Sequence, residues 1–456
     1  DVRRENEDLF VVSADGGTPR LLTPGTPRFR DISPDWASDS RRIVYASDES
    51  GFSNLYLLDI QNGSRRALTV GNADLISPRW SPGGNAVAYV RHENSLFHLY
   101  SISVEDSLTV RISERDGANG AYESGRAQQS AGPTGMFAWS PDGNHIAFTH
   151  SDPGRTSDIW IGTLDGTRPV QLTESMPEDL RKESRFVWPD RMTYRSFDGR
   201  EIPALVYKPR GTRPQNGHPA LLYFRDTVDG EHATAWDPIV QLLVSNGYVV
   251  FAPTARGSAG RGRDYRELVA GQGGDHDVRD ALFGLDRLSS EGLIDNERVG
   301  VLGAGTGGFL TMAALIRGES RFKAAISINA IVDAVTAASY PENGEWARYM
   351  IGATPLENPS AYYERSIVNF VDKLRTPLVF FYAGHSPTAP FQQLQQFGVQ
   401  ADVKGRWYDY RVFENESGDW GTWRAANARF TLETMESGFD KYLLGRGGEV
   451  RLSRNR

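Results

Sequence analysis

The stretch Arg298-Val-Gly-Val-Leu-Gly-Ala-Gly-Thr-Gly-Gly-Phe309 decides the fold of the C-terminal half of the chain. The apolar residues 299–302 predict a strand, and the apolar residues 309–316 predict a helix. Glycines at several positions between 303 and 308 separate the two, and glycine lets the backbone turn without a Cβ clash. The sequence therefore predicts a strand that turns sharply into a helix.

A turn of this kind is typical of the nucleophile elbow, in which the middle residue of G-x-S-x-G is an exposed serine. Here the turn reads Gly303-Ala-Gly-Thr-Gly307, so Gly305 occupies the serine position and offers no nucleophile. The same glycines could form a phosphate-binding loop at a helix N-terminus. The Lys-Ser/Thr pair of a Walker loop does not follow them, which weighs against a nucleotide site.

The composition is that of a globular protein, with 39% hydrophobic and 24% charged residues. A length of 456 residues allows two or three domains. The net charge of -8 argues against nucleic acid as a partner. The sequence contains no cysteine, which excludes disulfides and thiolate metal sites. No apolar run reaches the roughly 18–20 residues that cross a bilayer.

One pattern recurs in the N-terminal part, at Trp36–Tyr45, Trp80–Tyr89 and Trp139–Phe148. Each copy starts with tryptophan, continues through a turn of the Ser-Pro-Asp-Gly type and ends in a strand with period-two alternation. A second pair of strands follows each copy. The spacing is close to the roughly 40–45 residues of a four-stranded propeller blade. A Gly/Ala/Ser-rich loop at about 116–135 lengthens the second interval.

Residues 9–23 match the second half of a further blade, so the sequence predicts a partial β-propeller of about 3.5 blades. A chain that begins inside a blade leaves a sheet edge whose backbone groups are unpaired. We therefore expect residues 1–185 to be the C-terminal part of a longer propeller, and residues 186–192 to be a linker.

Residues 193–446 alternate between short apolar strands and helices, which predicts a mostly parallel, doubly wound sheet of the α/β-hydrolase type. Residues 447–456 are expected to be a tail. Beside the strand and helix around the glycines, the predicted strands are 202–207, 220–224, 248–252, 324–327 and 378–382, and the predicted helices are 278–289 and 425–444.

Four segments of this half resemble the catalytic domain of the prolyl oligopeptidase family. They are Arg195–Pro209, Ala255-Arg-Gly-Ser-Ala-Gly-Arg-Gly262, Glu357–Ser366 and Thr376–Phe381. The domain order, propeller first and hydrolase last, is similar to that of the dipeptidyl-peptidase and acylaminoacyl-peptidase branches. The resemblance implies a serine peptidase fold without cofactor or metal, in a family whose members often dimerise through the hydrolase domain.

The chemistry of this family requires a serine, an acid and a histidine in that order, with donors for the oxyanion. Gly305 occupies the serine position. The acid position is Pro387, in the loop Tyr382–Phe391, and no Asp or Glu occurs from residue 377 to 401.

The histidine position is Trp420, in Glu416-Ser-Gly-Asp-Trp-Gly421, and His385 is the last histidine of the chain. The turn Phe224-Arg-Asp-Thr-Val228 lacks the glycines expected on the oxyanion side. Losses at several positions spread over about 200 residues are more than a single engineered substitution would leave. The sequence therefore predicts a pseudoenzyme: the hydrolase fold without a triad.

We expect such a protein to act as a binding or scaffolding subunit. Its partner would be another protein, a second copy of the chain or a peptide. One alternative is an active hydrolase with relocated residues, using Ser258, or Ser386 next to His385. The compartment stays unknown, with a slight preference for a periplasmic or secreted location over the cytoplasm.

The second alternative is a module that binds a small anionic ligand through a group of arginines: Arg225, Arg256, Arg261 and Arg263. Exposed arginines more often pair with neighbouring acids, here Asp264 and Glu267.

Two tryptophans near the histidine position, Trp420 and Trp423, are further candidate contacts. Exposed, they would suit a partner; buried, they would fill the vacated cleft. The segment Gly274–Asp280 has the residue types of a metal site, but acids at a helix N-terminus explain it without metal.

Overall fold

A computed structural model describes residues 7–24, 29–121, 135–181, 185–224, 230–318, 320–386 and 391–447. Arg225, Pro387, the residues after 447 and most of the loop at 116–135 lie outside these ranges. The N-terminal unit consists of β-strands, and the C-terminal unit alternates strands with helices. The predicted fold class is confirmed.

The strands of the N-terminal unit are short and mostly antiparallel. They are β1 (Phe10–Val11), β2 (Arg20–Leu21), β3 (Asp31–Trp36), β4 (Arg42–Ser47), β5 (Asn54–Asp59), β6 (Arg65–Ala67), β7 (Asp74–Trp80), β8 (Ala86–Glu93), β9 (Leu96–Ser103), β10 (Thr109–Arg111), β11 (Ala118–Asn119), β12 (Phe137–Trp139), β13 (His145–Asp152), β14 (Arg155–Thr163) and β15 (Val170–Gln171).

These strands form propeller blades in the predicted order. Strands β3 to β6 make a first four-stranded blade, β7 to β10 a second and β12 to β15 a third. Strand β11 joins the last two, since it pairs in parallel with β9 and antiparallel with β13. With the pair β1–β2, the described residues hold about the 3.5 blades that the repeats predict.

The repeated tryptophans and their neighbours link successive blades. The backbone N–H of Trp80 donates to Oδ2 of Asp35 at 2.7 Å, and the Arg42 guanidinium lies 4.9 Å from the centre of the Trp80 ring. Nε1 of Trp139 donates to the carbonyl of Arg79 at 3.2 Å. The repeat therefore marks the contacts between blades as well as the blades themselves.

The C-terminal unit contains one sheet in the order β16-β17-β19-β18-β20-β21-β22-β23. Strands β16, β17 and β19 pair antiparallel, and the pairs from β19 to β23 are parallel. The strands are β16 (Asp190–Arg195), β17 (Glu201–Tyr207), β18 (His218–Phe224), β19 (Val249–Pro253), β20 (Ile294–Ala304), β21 (Phe322–Ile328), β22 (Leu378–His385) and β23 (Tyr408–Ser417). Strand β16 takes in the last three residues of the segment that the sequence assigned to a linker.

Helices cover both faces of this sheet. They are α1 (Pro238–Ser245), α2 (Gly262–Arg266), α3 (His276–Ser290), α4 (Thr306–Arg317), α5 (Ala334–Ala338), α6 (Gly344–Ile351), α7 (Pro359–Arg365), α8 (Gln392–Val403) and α9 (Ala425–Phe439), with a π-helical turn at Asp440–Leu444.

Strand β20 shows why the central strands are apolar throughout. Val299 and Val301 pack into the core beneath α3 and α4, whereas Leu302 and Ala304 pack on the opposite face with α1 and α9. A strand that is buried on both faces needs apolar residues at every position. No helix within the described residues has the length and apolarity to cross a bilayer.

Candidate functional site

The strand–turn–helix predicted from the glycines is present, with Gly305 between β20 and α4. Gly305 has φ 52° and ψ -118°, a conformation that favours glycine over other residues. Its N–H donates to the carbonyl of Ile328, at the end of β21, at 2.9 Å. The turn therefore has the backbone of an elbow, and the half-buried residue at the nucleophile position carries no side chain.

The loop of the acid position follows β22, the strand next to β21. Pro387 lies outside the described residues. His385 is exposed and pairs in the sheet with Ser417, at the end of β23, while Ser386 is buried. Because β20 to β23 run parallel, their carboxyl ends bring the serine, acid and histidine positions to one edge of the sheet.

The histidine position is filled by packed tryptophans. Trp423 is buried, its Nε1 donates to the carbonyl of Ser417 at 2.8 Å, and its ring meets that of Phe413 edge-on at 5.0 Å. Trp420 is half-buried against the same apolar core. Trp423 therefore fills the interior, which is the buried one of the two alternatives. Of the two tryptophans, Trp420 is the one with surface that a partner could contact.

Asn329 organises this edge of the sheet, and sequence reasoning missed it. Its Oδ1 accepts from the N–H of Ala383 at 2.8 Å, and its Nδ2 donates to the carbonyl of Gly418 at 2.8 Å. Its φ is 50°, in the left-handed region that asparagine tolerates better than most residues. An asparagine directly after an apolar strand was the available signal. The side chain fixes the acid and histidine loops to each other.

Arg256 is a structural residue rather than a free anion site. Its Nη2 and Nε lie 2.6 and 2.8 Å from the two carboxylate oxygens of Asp280, and its Nη1 lies 3.0 Å from Asp198. Burial acts to lower the pKa of Arg256, but the bonds to these two carboxylates raise it overall. Its donors are therefore committed inside the protein.

The other arginines of this loop lie against the first blade. The Arg263 N–H donates to the carbonyl of Gly51 at 2.7 Å, and its Nη1 donates to the carbonyl of Asp48 at 3.1 Å. Arg266 pairs with the Asp48 carboxylate at 2.6 Å. Arg261 lies over the ring of Tyr265, at 5.9 Å. The basic loop therefore joins the two domains. The pairs with neighbouring acids are longer than these contacts: Arg263 lies 3.7 Å from Asp264, and Arg266 lies 3.6 Å from Glu267.

A second interdomain contact surrounds Glu231, which is buried. Its carboxylate lies 2.6 Å from Nε2 of His92 and 2.5 Å from Oγ of Ser95, both from the second blade. Burial alone would raise the pKa of Glu231, but the contacts with His92 and Ser95 lower it overall. A Cβ on Gly260, whose φ is 80°, would lie 2.6 Å from the His92 ring, so this glycine allows the close approach.

The acids of the segment Gly274–Asp280 hold the structure together. Asp275 pairs with Arg317 at 3.0 Å, and Asp280 pairs with Arg256. Asp277 is buried and accepts backbone N–H bonds from Gly274 and Val278. In the described part of the chain, no three His, Asp or Glu side chains lie close enough together to hold a metal ion.

The alternative nucleophile Ser258 is engaged elsewhere. It is buried, and its hydroxyl donates to the carbonyl of Ala255 at 2.8 Å. A hydroxyl bound to a carbonyl has no base to take its proton. Among the described residues, no histidine is hydrogen-bonded to this hydroxyl.

The fold and the elbow define a propeller joined to an α/β-hydrolase domain. Residues 235–436 match the model of the prolyl oligopeptidase family, and residues 2–121 match the model of the TolB beta propeller domain. The C-terminal domain is therefore that of the prolyl oligopeptidase family.

Named relatives of the chain share low sequence identity with it. An uncharacterized peptidase of Bacillus subtilis, YuxL, is 24% identical over 67% of this chain and 47% of its own length. Dipeptidyl-peptidase 5 of Porphyromonas gingivalis is 22% identical over 87% and 50%, and the human acylamino-acid-releasing enzyme is 20% identical over 79% and 43%. The chain thus spans about half the length of these proteins.

Solved structures agree on the fold. A puromycin hydrolase has a TM-score of 0.82 and 21% identity, and the match covers 97% of this chain and 66% of that one. A puromycin-hydrolyzing peptidase of Mycobacterium tuberculosis has a TM-score of 0.81 and 22% identity over 95% and 64%.

Proposed function

We propose that the chain is a non-catalytic member of its family, and that it works as a binding or scaffolding subunit of a protein assembly. The observation that carries this proposal is Gly305 at the elbow. The backbone there has the turn that presents a nucleophile, and the residue has no atom that could attack a carbonyl.

The other two positions support the same conclusion. The acid loop contains no carboxylate residue between positions 377 and 401, and no histidine follows His385 in the sequence. Packed aromatic rings, including the buried Trp423, fill the region of the histidine loop. A serine hydroxyl without a base is a weak nucleophile, so restoring one residue would leave the chemistry incomplete.

The buried cores and the contacts between the two domains support a binding role. Each domain has buried apolar cores, and buried polar contacts join the two domains. A folded two-domain frame whose elbow carries no nucleophile can bind a partner without hydrolysing it. The partner would be a different protein, a second copy of this chain or a peptide.

Turnover assays test the absence of catalysis. The purified chain and the Gly305→Ser variant are incubated with dipeptidyl and acylaminoacyl 4-nitroanilides, with an active relative as positive control. We expect no turnover by either form, since neither has a base at the histidine position. Turnover that disappears when Ser258 or Ser386 is replaced would overturn the proposal in favour of a relocated active site.

The assembly itself is tested separately, by light scattering and native mass spectrometry of the protein from its source. We expect a stable complex with another protein or with a second copy. A monomer under all conditions would contradict the scaffolding role even if the assays found no turnover.

A further inference from the structure

A pocket of about 500 Å³ lies between α3 and the end of α4, and no residue of the elbow lines it. Its wall combines cationic, acidic and apolar side chains. The lining residues are Asp275, Arg279, Leu282, Phe283, Asp286, Arg317, Gly318 and Arg321. Three guanidinium groups face two carboxylates here, which leaves an excess of one positive charge.

Arg279 is the guanidinium without a carboxylate partner within the described ranges. Its Cζ lies 3.5 Å from the centre of the Phe197 ring, and the residue is exposed at the pocket. Stacking on an aromatic face holds a guanidinium flat and leaves the N–H donors at its edge free. Arg279 is thus oriented for two-point binding of an anionic group.

The other two arginines of the wall are held by the two aspartates. Nε of Arg317 lies 3.0 Å from Asp275, while its Nη1 is buried without a hydrogen-bond partner in the described part of the chain. Arg321 contacts Asp286 at 2.7 Å, and its Nε is likewise unpartnered there. These two atoms are closed off from solvent, so Arg317 and Arg321 contribute positive charge to the pocket wall, and Arg279 supplies the free donors.

Apolar atoms form the rest of the wall. Leu282 packs against the core, and Phe283 leaves 42% of its surface exposed next to Arg279. We propose that this pocket binds a small organic anion: a carboxylate or phosphate group on an apolar body, with the anionic group at the arginines and the body on Phe283. The site does not depend on the absence of catalysis, since it shares no residue with the elbow.

Calorimetric titration tests the site with three probes: phenyl phosphate, benzoate and inorganic phosphate. We expect saturable binding at one site by at least one aryl anion, and weaker binding of inorganic phosphate. The better aryl anion identifies the head group as phosphate or carboxylate. Equal binding of inorganic phosphate and both aryl anions, or no saturable binding, would overturn the proposal.

Two matched pairs of variants, on α3 and at its C-terminal end, separate a built site from general charge attraction. Arg279→Gln should weaken binding about tenfold or more, the loss expected for charge-assisted hydrogen bonds. Arg287→Gln is its control, because Arg287 pairs with Glu291 outside the pocket. Both side chains are on the surface, and thermal unfolding confirms that both variants are folded.

Asp286→Asn removes the carboxylate that competes for Arg321 and should tighten binding about threefold or more. Glu291→Gln makes the same change of charge directly after the last residue of α3, outside the pocket, and should leave affinity unchanged. Equal changes in affinity for the two variants of either pair would show that net charge alone attracts the anion, and would overturn the proposed site.

Discussion

Oε2 of Glu231 lies 2.6 Å from Nε2 of His92, and this buried contact joins the α/β-hydrolase domain to the second propeller blade. Removing one member of a buried pair leaves the other charged or polar group without compensation. We expect Glu231→Ala to lower the free energy of unfolding by about 3–5 kcal/mol, measured by urea denaturation. The control is Glu114→Ala, whose pair with Arg168 is largely exposed and should contribute little. Equal urea denaturation midpoints for the two variants would contradict a stabilising role of the contact between Glu231 and His92.

Asp277 makes stability depend on pH. Burial raises its pKa from 3.8 to about 6, against the lowering effect of the N–H groups of Gly274 and Val278. The folded state thus holds this proton more tightly than the unfolded state. The contribution of Asp277 is therefore greatest below pH 3.8, and it falls by up to about 3 kcal/mol as pH rises to 6 and above.

Denaturation midpoints between pH 4 and 7 measure this effect. Asp277→Asn removes the titrating group, so its profile should be flatter than that of the native protein across this window. Asp264→Asn is the control, because the Asp264 side chain is 95% exposed. A native profile parallel to that of Asp277→Asn would show that Asp277 does not titrate here.

Gly305→Ser tests the conformation of the elbow. A side chain at φ 52° and ψ -118° costs about 1–3 kcal/mol, so we expect a lower melting temperature for this variant. Gly344→Ser is the control: Gly344 has φ -58°, and a Cβ there meets no atom within 4 Å. If both substitutions lowered the melting temperature equally, the backbone conformation at Gly305 would carry no strain for a residue with a side chain.

Trp423→Ala should be among the more destabilising substitutions near the vacated site. The change empties a buried volume against Phe413 and removes the bond to the carbonyl of Ser417. The expected loss is about 3–5 kcal/mol in urea denaturation. Trp188→Ala, at a tryptophan that is 47% exposed, should cost much less. A small effect of Trp423→Ala would mean that this ring does not fill the interior.

Local sequence was sufficient to predict the elbow and the propeller blades. The glycines around 305 need particular backbone conformations, and the repeated tryptophan turns each define one blade, so both signals lie within a few neighbouring residues. Strand β23 was not predicted, because it is an edge strand in which charged and polar residues interrupt the apolar pattern.

Long-range pairings could not be predicted in the same way. Arg266 meets Asp48 across 218 positions of sequence, and nothing in either local segment specifies the other. The ion pairs of Arg256 are a second example: Asp198 and Asp280, which bind it, come from separate elements that only the fold brings together. The role of Asn329 likewise depends on three strand ends that meet in space.

The most direct test of the central claim is the intact mass of the protein after treatment with a fluorophosphonate, which reacts with activated serines. We predict that the native chain keeps its mass, because Gly305 leaves the elbow without a nucleophile. Stoichiometric addition of one phosphonyl group, mapped to a single serine such as Ser258 or Ser386, would contradict the account and show an active hydrolase.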